Sequence, residues 1–375
     1  MTRILHSLLA GTAFAAVTLG TAAAQSLPLD GIRLNVASMN DGYSAQLARL
    51  APRFQELTGA EVTIDILSYP ELLTKITADF VGDTQSYDVV TMDIVWAGQF
   101  AEAGYTVELS ELIERDADEL ALDDIYPIAM EALGRYDGKQ IAYPFAGYAN
   151  VLAYRKDLYE AAGLEVPTTM EELRAAATAL TDPEKEQYGF VANGQRGPAV
   201  AQDWMQYNAQ LGGSILTPDG HPALNSPENV ESLKVYKALI DETAPPGAVS
   251  YDWGGREESF RQGLVANMQS GSVGAASYDN PEQSRIVGKA GIALAPVAEG
   301  MAPTYGFGGW GLAINADIDE AQREAAWTWI KWITSPEVHK EMVLAGSGAI
   351  MRRSTTSDPA VNEMFPFMPI IDTSF

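Results

Sequence analysis

Ile32-Arg33-Leu34-Asn35-Val36-Ala37, Val62-Thr63-Ile64-Asp65-Ile66-Leu67 and Tyr87-Asp88-Val89-Val90-Thr91-Met92 are three short runs rich in β-branched residues, and the segments between them decide the fold. The first alternates around apolar positions, as a strand does, and the other two extend the same reading. Between the first and second, Ser44 is placed to cap a helix running to Thr58, with Leu47, Leu50, Phe54 and Leu57 on one face and Gly59 as its stop. Between the second and third, Pro70 opens a helix carrying Leu72, Leu73, Ile76 and Phe80. A further helical segment follows from Ile94 to Ala103. Strand, helix, strand, helix, strand predicts an α/β fold whose parallel sheet is built by right-handed crossovers. Ligands of open sheets sit outside the carboxyl ends of the strands. Here those ends are Ser38 to Tyr43 and Met92 to Trp96.

The pattern continues with a different rhythm. Asp137-Gly138 predicts a turn before a strand at Gln140–Pro144, and Val151–Tyr154 is again extended. Helices are expected over 156–162, over 169–180 behind the capping box Thr169-x-x-Glu172, and over 198–211 and 226–241. Ala290–Pro296 and Trp310–Ile314 read as strands, and an amphipathic helix over 321–333 precedes another beginning at Pro336. Trp329 and Trp332, three apart on one helix, predict packing between helices. No Ser/Gly linker divides the chain, which favours two α/β lobes with more than one crossing between them.

Composition narrows the function. Asp and Glu number 50 against 24 Lys and Arg, a formal charge of −26 over 375 residues. Such a surface repels phosphate backbones, so no nucleic-acid partner is expected. There is no Cys, and the three histidines (His6, His221, His339) have no metal-ligand spacing. No metal and no cofactor are therefore expected. Gly306-x-Gly308-x-x-Gly311 fits a dinucleotide fingerprint only formally, because a strand follows where that motif needs a helix. No P-loop and no Gly-x-Ser-x-Gly elbow occur. At the start, Arg3, the apolar stretch Leu8–Leu19 and Ala22-Ala23-Ala24 read in order as a secretory signal peptide over residues 1–24, cut before Gln25. Without a cysteine the mature end cannot carry a lipid. The expectation is a monomer in a Gram-negative periplasm.

Several segments resemble a known family. Tyr87-Asp88-Val89-Val90 with Met92-Asp93 and Trp96, then Phe100-Ala101-Glu102-Ala103-Gly104-Tyr105, are similar to the N-lobe signature of the extracellular solute-binding proteins of sugar ABC importers. Tyr143-Pro144-Phe145, Leu152 to Leu158, Ala162-Gly163-Leu164 and Pro167 to Leu173 resemble their crossing and first C-lobe helices. Gly308 to Ile314, Trp327 to Val338 and Gly346 to Ser354 resemble their return strand, late helix pair and arginine-bearing loop. The resemblance covers most of residues 30–355. It implies the two-lobed periplasmic-binding-protein fold (class II), with a hinge of two or three crossings, and no enzymatic activity. It implies capture of a sugar or polyol between the lobes and delivery to an inner-membrane ABC permease. Carried over, the N-terminal lobe spans 26–146 and 296–336, and the C-terminal lobe 147–295 and 337–375. Relatives usually continue with further helices past the point where this chain reaches Phe375.

A sugar offers hydroxyls at its rim and C–H groups on its faces. Carboxylates and arginine serve the rim, and aromatic rings serve the faces. The candidates are Asp41, Tyr43, Asp93, Trp96, Tyr148, Trp253, Tyr278, Asp279, Trp310 and Arg352. Asp93 either accepts from a ligand or caps the next helix. Trp310, behind Gly306-Phe307-Gly308-Gly309, is either a stacking platform or a core residue. Two other functions fit the composition: a polyamine binder caging its cation with aromatics and carboxylates, and an exported glycosidase.

Overall fold

The computed structural model describes residues 28–375. The signal-peptide reading of residues 1–24 lies outside them. Strands β1 (Arg33–Met39), β2 (Glu61–Leu67) and β3 (Val89–Asp93) run parallel, with Arg33 opposite Glu61 and Val36 opposite Val89. Helix α1 (Gly42–Thr58) joins the first pair and α2 (Tyr69–Gly82) the second, as the alternation predicts. Leu47, Leu50 and Phe54 are buried against the sheet, but Leu57 is 53 % exposed at the end of the helix. Ser44 is not the cap. Its hydroxyl is taken by Met39 and Ser38, and Asp41 one turn earlier accepts from Gly42 N–H at 2.6 Å. Gly59 stops α1 in the left-handed region, at φ 88°.

Helix α3 (Ala97–Ala103) follows β3 through one 3₁₀ turn. Short helices fill residues 110–132, a stretch whose broken periodicity gave no sequence signal. A two-stranded hairpin, β4 (Arg135–Tyr136) and β5 (Lys139–Gln140), turns on Asp137-Gly138, both with positive φ.

The two predicted strands near residues 140–154 are one. β6 runs unbroken from Tyr143 to Arg155. Its first half pairs antiparallel with β9 (Phe307–Ile314), which pairs with β3 in turn, Asp93 opposite Trp310. Its second half, Asn150 to Arg155, lies between β7 (Asn267–Gly271) and β8 (Ala290–Leu294). β6 thus leaves one hydrophobic core and enters another. The first core holds Val36, Phe54, Val89, Phe145, Leu312, Trp327 and Trp329. The second lobe buries Leu152, Phe190, Tyr207 and Tyr236 in one cluster, and Val265, Met268 and Phe260 in another. The chain returns between β8 and β9.

Residues 337–375 depart from the expected C-terminal lobe. Val338, Met342, Val343, Ile350, Met351, Val361, Met368 and Ile371 join the first core. The helix at Pro336–Leu344 faces α1, where Glu341 receives both Arg49 and Arg53. Phe375 packs edge-on against Tyr126 at 4.9 Å. The apolar end of the chain therefore packs mainly on the first lobe, with Phe367 also reaching the second-lobe cluster of Val265, Met268 and Phe260. Phe54, Trp329 and Trp332 meet at about the predicted helix contact, with Phe54–Trp329 centroids 5.0 Å apart. No helix among the described residues is long and apolar enough to cross a membrane.

Candidate functional site

The carboxyl ends of β1, β2 and β3 converge, and each delivers one polar group. Asp41 ends the first. Tyr69 follows β2 immediately, set at the start of α2 by Pro70 and by the Ser68–Glu71 capping box. Asp93 ends the third. The Tyr69 hydroxyl donates to Asp93 Oδ2 at 2.8 Å, and Val95 N–H donates to Asp93 Oδ1 at 3.4 Å. Asp93 therefore caps its turn through one oxygen and holds the Tyr69 hydroxyl with the other, so capping does not exclude the other reading of this residue. Burial pushes its carboxyl up to about 6, against the lowering effect of the Tyr69 hydrogen bond. Burial likewise pushes Asp41 up to about 6, opposed by Gly42 N–H and reinforced by the charge of Glu257 in the other lobe.

Around these acids stands an aromatic wall. Tyr69 contacts Trp96 at 5.1 Å, Trp310 at 5.9 Å and, across the lobes, Trp253 at 5.7 Å. Trp96 and Trp310 meet edge to face at 5.5 Å and expose only 5 % and 4 % of their surface. They back the wall rather than present open platforms, because Tyr69 stands edge-on against the Trp310 ring. Tyr43, T-shaped on Phe145, is buried with its hydroxyl unpaired, close to Asp41, Tyr148 and Asp93. Tyr148 lies on β6 where the strand passes between lobes. Its ring covers Gly271 of β7 and Gly308 of β9. A Cβ on either would come within 2.9 or 2.7 Å of it, so these two positions hold glycine to admit the ring.

The second lobe answers with one helix, Trp253–Arg261, N-capped by Asp252. The expected loop at Trp253 is the first turn of this helix. Arg256 donates to Asp203 Oδ1 at 3.0 Å and to Ser270 Oγ at 2.9 Å. Glu257 accepts from the Tyr278 hydroxyl at 2.8 Å and from Ser270. Asp203 also accepts from Asn193 N–H at 2.8 Å and from the Tyr236 hydroxyl at 3.0 Å. Tyr207 Oη, Ser272 Oγ and Arg256 Nε are buried nearby with no partner. Unpaired buried polar atoms are costly unless something meets them.

Three predicted site residues stand elsewhere. Tyr278 lies behind Glu257, packed on Phe260 at 5.0 Å, and its hydroxyl is committed to that carboxylate. Asp279 is on the outer surface, where Oδ1 accepts Gly288 N–H at 2.7 Å and closes a loop. Arg352 is 1 % exposed and spent inside the first lobe. Its guanidinium donates to Thr334 O at 2.9 Å, Leu120 O at 3.0 Å, Ala121 O at 3.2 Å and Asp124 Oδ2 at 3.3 Å. Five donors in a fixed fork suit this tying of three segments as well as they suit a ligand.

Sequence reasoning missed Tyr69, Asp203, Arg256 and Glu257. Tyr69 was accessible, since β2 is parallel to β1 and its carboxyl end belongs to the same rim. The other three belong to helices whose cleft-facing sides are set only by packing.

Two α/β lobes sharing a strand, with acids and rings meeting between them, define a two-lobed solute-binding protein. The chain belongs to the bacterial extracellular solute-binding protein family, whose sequence pattern matches residues 37–340. It is the solute-binding component of an ABC transporter. An ABC transporter solute-binding protein from Agrobacterium radiobacter, solved in complex with ribitol, is similar at 61 % identity. The match covers 92 % of this chain and 87 % of that one, with TM-score 0.90. A counterpart from Agrobacterium vitis with bound D-mannitol is 27 % identical over 91 % of this chain and 83 % of its own, with TM-score 0.80. A probable amino-acid ABC transporter periplasmic-binding protein from Sinorhizobium fredii is 27 % identical, covering 93 % of this chain and 80 % of itself.

Proposed function

We propose that this protein captures a small sugar or polyol in the periplasm, between its two lobes, and presents it to an inner-membrane permease without chemical turnover. The observation that carries this reading is the cluster at the lobe junction: Asp41 and Asp93 of one lobe and Arg256 of the other surround Tyr148, Asp41 feels the charge of Glu257, and Tyr69 touches Trp253 across the lobes. Ionised carboxylates are acceptors only, and they suit the hydroxyl rim of an uncharged guest. A guest that bridges both lobes stabilises the shut form. Aromatic rings beside three acids also suit a polyamine, so the test includes one. The test is a thermal-shift panel with ribitol, D-mannitol, maltose, amino acids and putrescine. A polyol or sugar raises the melting temperature and is recovered unaltered. A response confined to polyamines or amino acids, or turnover of the sugar, overturns the proposal.

The same geometry predicts a pH dependence. Asp41 and Asp93 bind protons more tightly folded than unfolded, since burial raises both from 3.8 to about 6. Their contribution to stability is complete below about pH 4 and is lost as pH rises through about 6. A guest hydroxyl donating to either carboxylate favours the ionised form, so binding releases protons. Affinity measured calorimetrically therefore tightens between pH 5 and 7, by about tenfold for each carboxylate engaged. A flat profile, or tighter binding in acid, would show that neither carboxylate accepts from the guest.

A further inference from the structure

We infer that Tyr69 and Trp253 form an aromatic latch across the two lobes that walls one side of the cleft and limits the guest to a single short chain or one sugar ring. The inference rests on the proposed capture of a sugar or polyol.

The two rings belong to different lobes, yet their centroids lie 5.7 Å apart at 44°. A sugar ring held between two aromatic faces needs roughly 8 Å, two contact layers of about 4 Å each. Nothing thicker than a direct contact passes between Tyr69 and Trp253. A chain of linked sugars cannot leave the cleft on that side while the lobes are shut.

Both partners are held in place. Tyr69 is the first residue of α2, fixed by the Ser68–Glu71 box, by its hydroxyl on Asp93, and by Trp96 and Trp310 behind it. Trp253 is the first residue of its helix, fixed by the Asp252 cap, which accepts Gly255 N–H at 3.0 Å. The latch is also coupled to recognition. The ring that meets Trp253 carries the hydroxyl that orients the Asp93 carboxylate, so shutting the wall and aiming the acceptor involve one side chain.

The test is calorimetric titration of the full chain with ribitol, D-mannitol, maltose and maltotriose. The wild type binds one of the two polyols and shows no heat with maltotriose. Trp253→Ala loses about fivefold to tenfold in polyol affinity, the worth of one aromatic pair, and gains measurable maltose or maltotriose binding. Tyr69→Phe keeps the ring and drops the hydroxyl, so it still excludes maltotriose while binding the polyol more weakly. Wild type that binds maltotriose as tightly as the polyol overturns the latch and leaves sugar capture standing. So does a folded Trp253→Ala whose affinities for all four match those of wild type. Wild type that binds none of the four overturns the capture reading, and the latch with it.

Discussion

Asp93→Asn should weaken polyol binding about 100-fold, roughly 2–3 kcal/mol, while the protein stays folded. Asparagine keeps the shape and one acceptor: its Oδ1 still takes Val95 N–H, and the Tyr69 hydroxyl turns from donor to acceptor of the side-chain amide. What is lost is the charge and the second acceptor oxygen in a site where 94 % of the residue is out of water (6 % exposed). Hydrogen bonds to a charged group are about twice as strong as neutral ones. Asp93→Ala goes further, because the Tyr69 hydroxyl then has no carboxylate to meet and the wall loses its brace. Thermal shift reads both effects. The unliganded melting temperature of Asp93→Asn should match or exceed that of wild type, since a buried carboxylate raised to about 6 is a cost at neutral pH. Its response to ligand should vanish at concentrations that saturate wild type. A variant that responds like wild type removes Asp93 from the site.

The second large effect falls on stability. Arg256 and Asp203 pair at 3.0 Å with 5 % and 3 % of their side chains exposed. Removing one partner strands a buried charge, and Asp203→Ala should cost about 3–5 kcal/mol. The loss extends beyond the pair, because Asn193 N–H and the Tyr236 hydroxyl also donate to Asp203. Replacing both, as Asp203→Leu with Arg256→Met, should recover a good part of that cost, since two apolar side chains of similar volume leave no charge unpaired. Urea denaturation compares the single and double variants. A double variant less stable than the sum of the singles would show that the ion pair is not the source of the loss.

The fold was readable where local signals agree with burial. Three β-branched runs spaced by amphipathic helices define the parallel half of the first sheet, and Thr169-x-x-Glu172 starts a helix where the box predicts it. The reading weakens where tertiary context decides. Arg352 has the composition of a ligand residue but is consumed by carbonyls of residues 120, 121 and 334, contacts far away in sequence. Asp279 and Tyr278 adjoin each other yet point to different surroundings, and no local pattern separates them. The terminal helices are apolar on one side, which says that they pack but not on which lobe. Asp93, Tyr43, Asp41 and Tyr148 were legible as candidates because strand ends and the crossing are positions that topology alone supplies. Arg256 and Glu257 were not, because a helix with acids and glycines around it offers no face that sequence can rank.

β6 gives Tyr143 to Ala149 to one ladder and Asn150 to Arg155 to another. A pull on either half travels along one unbroken backbone rather than through a slack tether. Heating should therefore dissolve the molecule as a single object, since neither half keeps a complete sheet once the other has let go of that strand.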